Sequence, residues 1–471
     1  MSRISPFPWS RLAWLIVLAA VGASCRDGRA PNVLVIVVDT LRADRLGAYG
    51  NTRGLTPFLD ELAQRGTVFM HAYAPSSWTI PSVASMLTSR YASQHHVFGF
   101  GARLPPQEVT FAEAMEPLRY IAGGFSANHL LLERLGYAQG FQHWYTDEKA
   151  LQPPSAAALR RQALEWLDGA WDSQSAQPAL LYFQFMEPHT PYDPPEPHRS
   201  HALAGVEPQQ LAIAMAAKYA EGGGKVMTRE DLRGFERLYD GEVATVDAEI
   251  KILFEDLERR GFLRDSVILI TADHGEEFLD HGGLSHGRAL YEESVRVPLI
   301  LIAPGFEGGR RVMEPVSLVD IAPTLTDLLD LPVHSAFEGR SLVPLLASTS
   351  LTSGLSAWLR PSRSIDRTDI ILQLKPKTGR ANDDRKHVLS IVRGPNKLVI
   401  GRDGADEAYD LAADPLETRA NPDSLRPMTS VLASALADTE TSLARRAGAV
   451  LRREPLDAAT KEKLRALGYQ P

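Results

Sequence analysis

The sequence is poor in cysteine: Cys25 is the only one in 471 residues. Disulfides within the chain are therefore excluded. Clustered positive charge is also missing. Formal net charge is -8, with 50 Lys and Arg against 58 Asp and Glu, and no long basic run occurs. Nucleic-acid phosphates demand such clusters, so no nucleic-acid partner is expected. The N-terminal apolar stretch, Leu12 to Ser24, is too short to span a bilayer comfortably. The rest is ordinary for a globular protein: 44% hydrophobic, 8% aromatic and 23% charged residues. The length accommodates a large core, as one large domain plus a smaller one or two of moderate size.

Arg3 and Arg11 precede the short apolar run, and small residues come after it. That order is the pattern of an export signal, and it weighs against a buried N-terminal helix. Gly22-Ala23-Ser24 directly before Cys25 resembles a bacterial lipobox, in which the cysteine is acylated, although Gly22 stands where leucine is usual. The expectation is a signal peptide over 1–25 and a bacterial, exported protein, periplasmic or membrane-anchored. Its one membrane contact would be a lipid on Cys25.

Val33 to Val38 is a continuous apolar, β-branched run ending at Asp39. Runs without alternation suit strands covered on both faces, as in parallel sheets. Similar runs lie at Leu180–Phe185, Val267–Ala272 and Val297–Ile302. Helical spacing appears between them, at Pro57–Arg65 and over 240–260, where Val243, Val246, Ile250, Leu253 and Leu257 share a face. The fold class expected is α/β, a mainly parallel central sheet sandwiched by helices. Towards the C-terminus, Val388–Val392 and Lys397–Ile400 flank Arg-Gly-Pro-Asn, which reads as a hairpin within a small antiparallel subdomain. The expected limits are 31–346 for the catalytic domain, 365–424 for the subdomain, and 425–471 for a charged helical tail.

Three polar clusters fall where such a sheet presents its ligands, at the carboxyl ends of strands. Asp39 ends the first run, where an ordinary helix cap is the competing explanation. Asp273-His274 ends the 267–272 run and offers oxygen and nitrogen donors for half a metal site. Thr79 opens a segment in which Pro81 suits the first turn of a helix. A helix N-terminus favours an anionic ester and a developing alkoxide, although a capping threonine is locally the simpler reading. The three together favour chemistry over three separate caps.

Together these residues resemble the sulfatase family of the alkaline phosphatase superfamily. The likeness runs from about Pro31 to Gly468: Val33–Gly50, Ala74–Val97, Phe185–Tyr192, Thr271–Pro298, Val316–Leu346 and the Ala408-Tyr409-Asp410-Leu411 segment. It implies a metal held by Asp39, Asp273 and His274, with Thr79 as nucleophile and metal ligand. His189 and His286 would bind the ester's oxygens and protonate the leaving group. His95, His281, Asp44 and Thr40 are weaker candidates. Four departures stand out. Sulfatases make a formylglycine from cysteine or serine, but Thr79 stands there; Val83 replaces the following arginine; Ser126-Ala127-Asn128 replaces a Lys-x-His segment; and His274 replaces an asparagine. Imidazole in place of an amide oxygen favours manganese or zinc for the one divalent ion, with calcium left open. The resemblance implies a hydrolase, or a transferase, acting on small-molecule, glycan or lipid esters of phosphate, phosphonate or sulfate, with phosphorus preferred. Two alternatives stay open: a sulfuric ester hydrolase without formylglycine, and an inactive binding protein on this scaffold.

Overall fold

The computed structural model describes residues 29–148, 152–206, 229–347, 369–374, 387–401 and 406–420, with isolated helical residues between 430 and 462. The export segment with Cys25, and most of the tail, lie outside the described residues.

Eight strands form the central sheet: β1 (Val33–Val38), β2 (Thr67–Phe69), β3 (Ile121–Ser126), β4 (His143–Tyr145), β5 (Ala179–Phe185), β6 (Val267–Ala272), β7 (Leu299–Ile302) and β8 (Arg310–Val312). Their order across the sheet is β8-β2-β7-β6-β1-β5-β3-β4. β1 pairs in parallel with β5 and β6, so it sits in the middle and its six side chains are buried on both faces. Burying each of these valines, isoleucines and leucines contributes on the order of 1.5–3 kcal/mol. That is why the run shows no polar alternation. The expected Val297–Ile302 strand is divided at Pro298, which has no N–H to give to a ladder. Arg296–Val297 pairs with Ala72–Tyr73 in a separate small sheet, while β7 joins the main sheet antiparallel to both β6 and β2.

Two groups of helices flank the sheet. α1 (Pro57–Arg65), α3 (Ala156–Ala170) and the long α4 (Arg229–Arg259) form one; α2 (Thr79–Thr88) and α5 (Ile321–Leu328) form the other. α4 turns the predicted face inward, with Val243, Val246, Ile250, Leu253 and Leu257 at 0% exposure. α2 is buried along its whole length, which fixes its N-terminus firmly.

A four-stranded antiparallel sheet comes next: β9 (Asp369–Gln373), β10 (His387–Arg393), β11 (Asn396–Gly401) and β12 (Glu407–Asp410). The hairpin falls where expected. Arg393 faces Asn396, leaving Gly394-Pro395 as the turn, and Gly394 supplies the φ of +54° that an L side chain resists. Among the described residues no helix is long and apolar enough to cross a membrane.

Candidate active site

The topology brings four chain segments to one edge of the sheet. β1, β5 and β6 run parallel and in register, Val38 lying opposite both Phe185 and Ala272. The residues just past their ends therefore emerge together: Asp39 from β1, the 186–193 segment from β5, and Asp273-His274 from β6. β3, paired in parallel with β5, delivers Asn128 to the same edge.

Asp39, Asp273 and His274 offer one donor atom each, all within 4.8 Å of one another and all buried. His274 Nε2 lies 3.7 Å from Asp39 Oδ1 and 3.5 Å from Asp273 Oδ2. His274 Nδ1 donates to the Gly275 carbonyl at 2.9 Å, so Nε2 carries the lone pair that faces the carboxylates. The other oxygen of each acid is satisfied by protein. Asp39 Oδ2 accepts from Asn128 Nδ2 at 2.6 Å and from Gln184 Nε2 at 3.4 Å. Asp273 Oδ1 accepts from the backbone N–H of Thr40 (3.3 Å) and of His274 (3.0 Å). Asp39 Oδ1 and Asp273 Oδ2 are buried without a hydrogen-bond donor. Two orphaned carboxylate oxygens and one imidazole lone pair converging in a buried site fit a divalent cation. Without one, burial and then the charge of Asp273 push the Asp39 carboxyl well above its usual range, and burial pushes the His274 imidazole down.

Thr79 is the first residue of α2, and its Oγ1 donates to His274 Nε2 at 3.1 Å. No side chain caps this helix end. The N–H groups of Thr79 and Ile80 have no intrahelical acceptor there, and Pro81 has no N–H. Ser82 Oγ donates to the Asp273 carbonyl at 2.6 Å, locking the first turn of α2 onto the acidic loop.

Two further histidines border the cluster. The His286 ring lies 4.5 Å from that of His274 and 5.1 Å from that of His189, centroid to centroid. His189 Nδ1 donates to the Thr190 carbonyl at 2.6 Å. His286 Nδ1 bonds Glu276 Oε1 at 3.1 Å, and Tyr192 OH donates to the other oxygen of Glu276 at 3.0 Å. The structure thus brings together Asp39, Thr79, His189, Asp273, His274 and His286.

The weaker candidates sit elsewhere, Thr40 excepted. His95 bonds Ser85 Oγ (2.9 Å) and the Val97 N–H (3.1 Å), and burial pushes its pKa down to about 3. It is a neutral strut. Asp44 is half-exposed, and against a cost of partial desolvation Arg42 and Arg45 hold it to about 2, so it is an ion-pair partner. His281 bonds Glu293 and the Glu417 carbonyl, away from the cluster. Thr40, next to Asp39, takes φ +56° and aims its N–H at Asp273. Sequence reasoning misses Asn128, Gln184, Glu276 and Tyr192 as site residues. Asn128 enters it only as a departure from a motif, yet its place just past a parallel strand is the same signal that marks Asp39.

A sulfatase family model matches residues 31–331. Arylsulfatase K of Canis lupus familiaris is 25% identical over 395 residues, 71% of this chain and 72% of that protein. A phosphonate monoester hydrolase from Silicibacter pomeroyi superposes with a TM-score of 0.67 at 22% identity, covering 88% of this chain and 95% of that one. A chain solved with its substrate, D-glucosamine-2-N,6-O-disulfate, superposes at 0.70 with 20% identity, covering 88% and 98%. At these identities the two solved structures establish the fold.

Proposed function

The chain belongs to the sulfatase family and is a hydrolase acting on ester bonds, and from that premise we propose that it cleaves phosphorus esters through a covalent intermediate on Thr79. The observation that carries the reading is the placement of Thr79 Oγ1, at an uncapped helix N-terminus and 3.1 Å from the imidazole of a buried Asp-Asp-His cluster. A threonine cannot become a formylglycine, so here the hydroxyl itself is the nucleophile.

Asp39, Asp273 and His274 would hold the divalent ion, with Thr79 completing the set; the nitrogen donor favours manganese or zinc. Such an ion supplies positive charge that lowers the pKa of a neighbouring hydroxyl. Thr79 Oγ1, its proton released to solvent, attacks phosphorus; the bond to the leaving oxygen breaks, and that oxygen takes a proton from His189 or His286, which regains one from solvent. The α2 N–H groups face the non-bridging oxygens and stabilise their growing charge. Glu276, held by Tyr192, orients His286. Water, or an acceptor alcohol, then attacks the threonine ester, releasing the acid or its transferred ester and restoring the hydroxyl.

Sulfate esters are the second reading, favoured by the family match and by the arylsulfatase relative. The substrate class proposed is a small-molecule, glycan or lipid ester. Stripped protein reloaded with manganese, zinc or calcium decides between the readings on aryl phosphate mono- and diesters, a phosphonate ester and an aryl sulfate. Faster turnover of phosphorus esters, dependent on manganese or zinc, supports the proposal; faster turnover of the sulfate refutes it. Export and acylation at Cys25 belong to the same proposal. Labelling with a radioactive fatty acid, lost in Cys25→Ser, is the expected result, and an unlabelled wild type would rule the anchor out.

A further inference from the structure

The mechanism uses nothing from the C-terminal sheet, yet that sheet carries a lysine with no exposed surface. Lys397, on β11, places Nζ 3.0 Å from Glu292 Oε1 and 2.9 Å from Glu417 Oε1. Glu417 is itself buried, and its Oε2 accepts the Glu292 N–H at 2.6 Å. One ammonium and one carboxylate thus hold both the side chain and the backbone of Glu292.

Glu292 opens a short helix, Glu292–Val295, whose carbonyls lead to the site. The Ser294 carbonyl accepts from Gly275 N at 2.9 Å, and the Glu293 carbonyl from Glu276 N at 3.1 Å. Gly275 comes directly after His274, and Glu276 orients His286. The approach is so close that a Cβ on Gly275 would collide with the Glu293 carbonyl, so these two stretches cannot slide independently. The same helix holds the nucleophile side, since the Val295 carbonyl accepts from Ala74 N at 2.8 Å. β9 adds a direct link, Gln373 N to the Pro75 carbonyl at 2.8 Å, four residues before Thr79.

We propose that Lys397 is a positioning residue of the active site, fixing His274 and His286 through Glu292 and the Glu292–Val295 helix. A lysine suited only to stability is a poor choice here, because apolar residues of similar volume commonly replace buried ion pairs at no loss. What the ion pair adds is direction: it fixes where the Glu292 backbone sits. His281 strengthens the same seam, bonding Glu293 Oε1 at 2.9 Å and the Glu417 carbonyl at 3.1 Å while its ring stacks on Tyr291.

The inference rests on the reading of this cluster as a metal and catalytic site, so its test includes a measurement independent of that reading. In Lys397→Met the amides of Gly275 and Glu276 should lose hydrogen-exchange protection. Manganese affinity should fall about tenfold, the lower end for partners that orient metal ligands. The kcat should fall by a similar factor with KM little changed. Removing the cation leaves two buried carboxylates, so Glu417→Gln is the second variant. It keeps the volume and the acceptor for Glu292 N, leaves Lys397 paired with Glu292, and should shift the same three readouts in the same direction. Arg393→Ala breaks the Arg393–Asp369 pair on the same sheet and should shift none of them. Folded Lys397→Met or Glu417→Gln with wild-type exchange at Gly275 and Glu276 would overturn the proposal. Wild-type protein that binds no metal and turns over no ester would instead remove the functional reading, with the exchange result still deciding this one.

Discussion

Asn128→Ala tests the proposed metal centre without replacing a proposed ligand. Asn128 Nδ2 donates to Asp39 Oδ2 at 2.6 Å, and neither residue has exposed surface. Its loss leaves Asp39 Oδ2 with only the longer 3.4 Å bond from Gln184, whose own carbonyl is engaged by Tyr182 OH at 2.8 Å. A hydrogen bond to a charged group contributes about 1.5–3 kcal/mol. At about 1.4 kcal/mol per decade, the variant should bind manganese roughly ten- to a hundredfold more weakly. The proton linkage adds a second signature. Burial and Asp273 already push the Asp39 carboxyl up, while Asn128 pulls it down. Removing Asn128 raises it further, so metal must displace a more tightly held proton. The affinity loss should therefore be larger at pH 6 than at pH 8. Titration calorimetry with manganese at both pH values measures it, scaled to the folded fraction because Asn128 Oδ1 also accepts the Leu130 N–H at 2.8 Å. Wild-type affinity at both pH values would remove Asp39 from the metal site.

The same geometry carries further expectations. Thr79→Ala should abolish ester turnover while Tm drops only a few degrees, since losing one buried hydroxyl bond costs about 1 kcal/mol; near wild-type kcat would refute the nucleophile. Asp273→Asn should weaken metal binding and kcat together, and retention of both would take Asp273 out of the ligand set. Glu242→Gln is a pH test away from the centre. Burial, and after it the nearby Glu187, pushes Glu242 up to about 8, so the folded state binds a proton that the unfolded chain releases near 4.5. Stability then falls as pH rises from 4.5 through 8. The glutamine keeps the acceptor for Asp193 N, at 2.7 Å from Oε1 in the wild type. Its Tm should exceed wild type at pH 9 and match it near pH 4; an equal gap at both would show that Glu242 is not the group responsible.

How much of this site is legible in the sequence depends on whether a residue's signal is local. β1 and β6 announce themselves because both faces are covered, so the Asp that ends each run marks the edge of the sheet that carries the proposed site. The helix start at Thr79 is legible from Pro81. The division at Pro298 is legible in principle, since a residue without an N–H interrupts a ladder. Partners joined across the chain are harder. Asn128 and Asp39 are 89 positions apart, and an Asn after an apolar run looks like any loop residue. The strand-end argument nevertheless reaches it. β3, β5, β1 and β6 are parallel neighbours, so the residues just beyond each strand's carboxyl end stand beside those just beyond its neighbour's. Applied to all four strands instead of two, that argument selects Asn128 and the segment carrying His189 by the same physics that selects Asp39 and Asp273. It cannot select Lys397, whose influence passes through a salt bridge and a short helix before it reaches His274. A residue of that kind has no local pattern, because its job is defined only by the packing of two sheets that lie far apart in the sequence.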